Sequence, residues 1–313
     1  MTAPQFTAPT TPSAASDFAT FGAVHLDVTD LDRALGFWRD LIGLSLIGYD
    51  GAAVRLGAGD QDLLVLHPGA RGPVVREASG LYHLALHLPS LAEFARVVAR
   101  IQASGSPHYP TDHLMHLADY IDDPDGNGLE IAFETPQRLG AASVGPRGPV
   151  LTDAEGKRHS GRDPIDLAWL FAHVPQDGIA RALPAGTTVG HMHLRVADTD
   201  AALAFYRDVI GFAVNMDMRS MGAFDMSARG SFPHRLACNT WESAGRPPRP
   251  AEASGMRHFT LLLRSADDLA AAIARAEAAG GAVERRDDGA VVVDPARNRF
   301  LLTLTQLHLA QDT

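Results

Sequence analysis

The stretches "GAVHLDVTDLDRALGFWRDLIGL" (22–44) and "GHMHLRVADTDAALAFYRDVIGF" (190–212) align without gaps and are identical at 13 of 23 positions. The likeness continues downstream, where "GLYHLALHLPSLAEFARVVARI" (80–101) parallels "GMRHFTLLLRSADDLAAAIARA" (255–276). It closes with "DDPDGNGLEIAF" (122–133) against "VDPARNRFLLTL" (293–304). A self-similarity of this length is an internal duplication, and each copy has an ordinary domain's size. The expected division is a disordered tail over 1–19, a first domain over 20–136 and a linker with a short helix over 137–188. A second domain over 189–305 and a tail over 306–313 complete the chain.

Within a copy the pattern is strand, helix and short strands, stated twice. "AVHLDV" alternates apolar and polar residues with period two. Asp30 then caps a helix in which Leu31, Leu35, Trp38 and Ile42 recur at helical spacing, with Gly43 as the stop. "VRLGAGDQDLLVLH" reads as a hairpin. The same order restarts at "LYHLALHLP" and ends in the hairpin 116–134. The fold class expected is α+β, with four βαβββ units in two tandem domains.

Alternation decides which side chains share a face. Val24, Leu26 and Val28 oppose His25 and Asp27, while Leu84, Leu86 and Leu88 oppose His83, Ala85 and His87. Leu129, Ile131 and Phe133 oppose Glu130, Ala132 and Glu134. If the aliphatic faces pack under helices, the other faces carry two histidines and a carboxylate from three strands. That is the composition of a two-His-one-carboxylate site with open coordination positions. The second copy keeps His193 and His258 but has Leu301 where the first has Glu130, so its set is degenerate. Which first strand closes which unit is left open by the sequence, and a site joining His193 to His83 and Glu130 is an alternative.

At these residues the chain resembles the vicinal oxygen chelate superfamily, and within it the type I extradiol ring-cleaving dioxygenases of the catechol 2,3-dioxygenase type. The most specific element is "TDHLMHLADYIDDPDGNGLE" (111–130). It carries His113, Tyr120, the turn Asp123-Pro124-Asp125-Gly126 and Glu130 in the family's order; Asp119 departs where a hydrophobic residue is usual. The resemblance implies paired βαβββ units in a U-shaped, barrel-like sheet with helices outside. It implies His25, His83 and Glu130 as ligands of Fe(II), with Mn(II) sharing the set and O₂ as co-substrate. It further implies His113 and Tyr120 beside the substrate and His67 near the acid–base position. His116 and His87 receive no role.

The activity implied is extradiol cleavage of a catechol-type diol. Two alternatives stand beside it: a glyoxalase-like metal-dependent isomerase or epimerase, and a metal-free protein that sequesters an aromatic ligand. The net charge of −10, from 37 acidic against 27 basic side chains, disfavours nucleic acid and anionic membrane and suits a small aromatic partner. The one cysteine, Cys238, excludes an intramolecular disulfide and fits a reducing compartment, so the cytoplasm is expected. Self-association is left open.

Overall fold

The computed structural model describes residues 16–146 and 148–305. Most of both expected tails, 1–15 and 306–313, lies outside the described residues. The first unit holds β1 (Ala19–Val28), α1 (Leu31–Leu35), β2 (Ser45–Asp50), β3 (Ala53–Ala58) and β4 (Gln61–Pro68). The second holds β5 (Gly80–His87), α2 (Leu91–Ser104), β6 (Tyr109–Asp112), β7 (His116–Asp122) and β8 (Gly128–Glu134). A connecting segment carries β9 (Leu139–Gly145), β10 (Gly148–Asp153), β11 (Arg158–His159), β12 (Asp163–Pro164) and α3 (Leu167–Phe171). The third unit has β13 (Thr188–Arg195), α4 (Thr199–Ala204), β14 (Ala213–Met218), β15 (Ala223–Ser227) and β16 (Leu236–Asn239). The fourth has β17 (Gly255–Leu263), α5 (Ala266–Ala278), β18 (Val283–Arg286), β19 (Gly289–Val293) and β20 (Arg299–Leu304).

Local chemistry explains the elements. Asp30 and Ser90 accept backbone N–H bonds from Arg33 and Glu93, so each helix starts where an oxygen satisfies its open donors. Phe94, Val97, Val98 and Ile101 put one buried stripe of α2 on the sheet, α2 packing against β8. α1 continues as a wider, π-type turn over Gly36–Leu41 that sends Phe37 and Trp38 inward.

The sheets join units from different copies. One sheet of eight strands runs β18-β19-β20-β17-β1-β4-β3-β2, and one of nine runs β12-β6-β7-β8-β5-β13-β16-β15-β14. β1 therefore pairs antiparallel with β17, and β5 with β13. One continuous apolar core joins the two sheets, with Trp38, Phe94, Tyr206, Phe259 and Phe300 fully buried in it.

The two units of one copy are tied by the turn in "DDPDGNG". Asp123 accepts backbone bonds from Asp125 (2.9 Å) and Asn127 (2.8 Å), and from Trp38 Nε1 at 3.2 Å. Asp125 accepts from Thr29 N at 2.7 Å and from its hydroxyl at 2.5 Å. The second copy repeats the clasp, with the Tyr206 hydroxyl donating to Asp294 at 3.0 Å. The connecting segment is more than a linker: β9, β10 and β11 form a small sheet, and β12 extends the nine-stranded sheet beside β6. At the N-terminus Asp17 is buried and ion-paired to Arg235 at 2.7 Å.

Candidate active site

Three neighbouring strands meet at one alanine. Ala85 on β5 is in register with Glu130 on β8 and with His191 on β13. Its methyl leaves the space over which the two longer side chains converge, and His83, two residues back on the same face, completes the group. Glu130 Oε2 lies 3.0 Å from His83 Nε2 and 3.1 Å from His191 Nε2, and the two imidazole nitrogens are 3.3 Å apart. One ligand atom from each of these buried residues can be chosen so that all lie within 4.8 Å of one another.

A hydrogen-bonded chain sets the state of His191. Arg235 Nη1 donates to Glu134 at 2.5 Å, and Glu134 faces His87 Nδ1 at 2.7 Å. Burial opposes ionisation of Glu134, but His87 and Arg235 outweigh it and hold the carboxyl at about 2. The ionised carboxylate only accepts, so His87 Nδ1 carries the proton and His87 Nε2 offers a lone pair. His191 Nδ1 donates to it at 2.8 Å. His191 Nε2 is thereby left with its lone pair aimed at a carboxylate oxygen. His87 reaches this place because residue 190 is glycine: a Cβ there would stand 2.0 Å from the His87 ring.

Burial opposes ionisation of Glu130 too, yet the imidazoles of His191 and His116 hold its carboxyl well below the usual range. Burial likewise drives His191 well below the ordinary imidazole pKa. Three imidazoles, those of His83, His116 and His191, therefore crowd one buried carboxylate. His116 Nε2 approaches Glu130 Oε1 at 2.9 Å without hydrogen-bond alignment, leaving that oxygen and both His116 nitrogens buried and unpartnered. Such a donor set fits a divalent cation, which would replace these contacts by bonds of one sign.

The group borders a cavity of about 380 Å³ lined by His83, His113, Tyr120 and His193 among others. His113 Nδ1 donates to the Gly161 carbonyl at 2.6 Å, so its Nε2 accepts from the Tyr120 hydroxyl at 2.8 Å. Burial, then the neighbouring His116, lowers His113 to about 3 and keeps it neutral. Burial works against protonation of His234, but the Asp225 carboxylate 3.0 Å away overcomes it and raises that imidazole. The His234 ring lies 4.6 Å from that of His191.

Of the residues expected from sequence, His83, Glu130, His113 and Tyr120 come together. His25 and His67 do not join them. β1 and β4 belong to the other sheet, where His25 Nδ1 meets His67 Nε2 at 2.9 Å and the His25 ring stacks on His258 at 3.9 Å. The cause is the exchange of partners: β5 is closed by β13, not by the first strand of its own copy. Beside Glu130 and His83 stands His191 instead of His25, and the His234 ring lies next to that of His191. His193, the alternative, accepts from Asn239 Nδ2 at 2.9 Å and sits beside His83, 4.8 Å between rings. At the matching place of the other sheet Thr260 pairs with Leu301, an aliphatic residue where the first copy has Glu130. His191 was missed because its aligned partner in the first copy is Ala23; the doublet His-Met-His on one strand face was the available signal.

The family described as Glyoxalase/Bleomycin resistance protein/Dioxygenase superfamily matches residues 20–131 and 188–299. The chain is 31% identical over 283 residues to the Catechol-2,3-dioxygenase of Bacillus subtilis (strain 168), covering 90% of this chain and 95% of that protein. This chain belongs to that superfamily, as two tandem domains of its fold. It is also 28% identical over 132 residues, 42% of the chain, to the Glutathione transferase FosA of Serratia marcescens, covering 93% of that protein. Among solved structures, a Bacillus subtilis chain is similar with a TM-score of 0.59 and 14% identity, covering 91% of this chain and 85% of that one. Glyoxalase I from Zea mays is similar at 0.55 and 14%, covering 92% and 93%. These two likenesses carry the fold alone. The relationship to the curated relative supports a dioxygenase-like enzyme.

Proposed function

We propose that the protein is an extradiol dioxygenase of a catechol-type aromatic diol, with His83, Glu130 and His191 holding Fe(II), or Mn(II) in its place. The observation that carries this reading is the buried two-His-one-carboxylate group, whose His83 lines a cavity that also holds the His113–Tyr120 pair. When bound, the ion supplies Lewis acidity toward the diol hydroxyls and an electron route to O₂.

The chain's own groups account for binding and proton handling. Tyr120 gives its hydroxyl proton to a bond with His113 Nε2, so its oxygen keeps lone pairs to accept from a diol hydroxyl. The Gly161 carbonyl holds the His113 ring in that orientation. His234, with its pKa raised by Asp225, is suited to return a proton to oxygen as the ring opens. In the net reaction both oxygen atoms enter the product and the ring carbon–carbon bond beside one hydroxyl breaks, giving an aldehyde and a carboxylic acid. No external reductant is consumed.

The test is anaerobic Fe(II) titration of the full chain, followed by addition of O₂ and a catechol. The expected result is one ion per chain and a yellow ring-fission product. Glu130→Gln and His191→Ala each abolish both, while His25→Ala retains both. Turnover of a hemithioacetal without O₂ would transfer the site to the isomerase reading, and diol binding indifferent to metal would transfer it to sequestration.

A further inference from the structure

The cavity beside the proposed metal group has a charge opposite to that of the molecule. The chain carries −10, yet Arg76, Arg162 and Arg195 line this space against one acid, Asp122. Arg76 is neutralised by Asp122 at 2.6 Å, both exposed. Arg195 has only a long ion pair, and the Arg162 side chain has none among the described residues.

Arg195 is the last residue of β13, on the same face as His191 and His193. It is 5% exposed, and its Nε is buried without a hydrogen-bond partner. Its ion pair with Glu242 is long, 3.6 Å from Nη1, and leaves Nε without an acceptor. A buried guanidinium left short of partners is costly, and a structure retains it where something else completes it. Arg162 enters from the turn between β11 and β12, next to the Gly161 carbonyl that holds His113. Its guanidinium has no ion pair or hydrogen bond among the described residues. Exposed at the rim, it lines the same cavity as Tyr120, His193 and Tyr82. Tyr82 and Trp241, edge to face at 5.5 Å, supply an aromatic wall beside His193.

Arg195 is four positions beyond His191, about 13 Å along an extended strand. A ring ligated at one end and bearing a short acidic arm, met by the arginine side chain, spans that distance. We propose that the diol bears an anionic substituent, a carboxylate on or one carbon from the ring, and that Arg162 and Arg195 receive it. Planar guanidinium matches planar carboxylate in a two-bond fork, and a positive cavity in a negative protein concentrates such a substrate at its mouth. This inference rests on the dioxygenase reading for the ring's orientation.

The test compares 3,4-dihydroxyphenylacetate with its methyl ester, which keeps the ring and loses the charge. Full-length iron-loaded protein is assayed for kcat and KM, and metal-free protein is titrated calorimetrically with both compounds. For the native chain the ester has a KM roughly tenfold or more above that of the acid, a charge-assisted hydrogen bond's contribution. In Arg162→Gln and in Arg195→Gln that ratio falls toward one, Arg162→Lys retains part of it, and added salt narrows it. A native ratio near one, or a ratio unchanged in both glutamine variants, overturns the inference. The two proposals fail separately. Diols turned over with no preference for the acid sink only this one. Calorimetric preference for the acid, lost in the glutamine variants but without ring cleavage, sinks only the dioxygenase reading; no preference in either assay overturns the arginine assignment outright.

Discussion

Glu130 sits among imidazoles whose free nitrogens are set by groups one step further out. The chain His191–His87–Glu134–Arg235 fixes one tautomer through hydrogen bonds that each have a single consistent direction. Gly190 is the residue that permits it, since a methyl at that position would meet the His87 ring at 2.0 Å. Gly190→Ala is therefore expected to push His87 away and free His191 to rotate. Metal affinity should fall roughly 10- to 100-fold, the usual loss when the group behind a ligating histidine is removed. A Co(II) titration of native and variant protein reads this directly, and an unchanged affinity would show that the outer chain does not hold the ligand. His83, Glu130, His113 and Tyr120 were legible in the sequence because alternation and one dense stretch carry them. His191 and His234 were not, because each has its importance only from the strand beside it.

At the scale of the element, β7 is a strand with two polar sides. Tyr120 faces the cavity, and Asp119, the residue that departs from the hydrophobic pattern, turns the other way. It is fully buried and holds His108 Nδ1 at 2.8 Å. Burial, opposed by His108, raises its pKa to about 6. The folded chain therefore keeps a proton that the unfolded chain, with an ordinary value of ~3.9, releases. Stability should decline as pH rises from about 4 to about 6, by up to ~3 kcal/mol, and be level above. Denaturant unfolding of native protein and Asp119→Asn across pH 4 to 7 checks this: the variant should lack that component of the slope. Equal slopes would mean that Asp119 is already ionised in the fold. The helices were readable from caps and spacing. The small sheet β9–β11 was not, because short Gly-, Ser- and Ala-rich strands carry little apolar periodicity.

For the whole molecule, neither copy of the duplication owns a sheet. Each sheet takes one unit from each copy, and the clasps Trp38–Asp123 and Tyr206–Asp294 bind the two units of a copy across sheets. Separating the copies would expose β1, β17, β5 and β13 as bare edges and split one core. Calorimetry is accordingly expected to give a single cooperative transition, with calorimetric and van't Hoff enthalpies equal. Two resolved transitions would show that the copies unfold independently. Among the described residues no helix is long and apolar enough to cross a membrane.

The sequence by itself determined the four βαβββ units, their faces, and the presence of one carboxylate at a position the repeat has lost. Those properties are periodic or local, so they survive being written in one dimension. Only the tertiary structure decided that β5 is closed by β13, which brings His191 to Glu130 and leaves His25 and His67 in the other sheet. First strands of near-identical pattern offer equivalent edges, and the choice between them is made by how helices, turns and connecting segment pack the whole core.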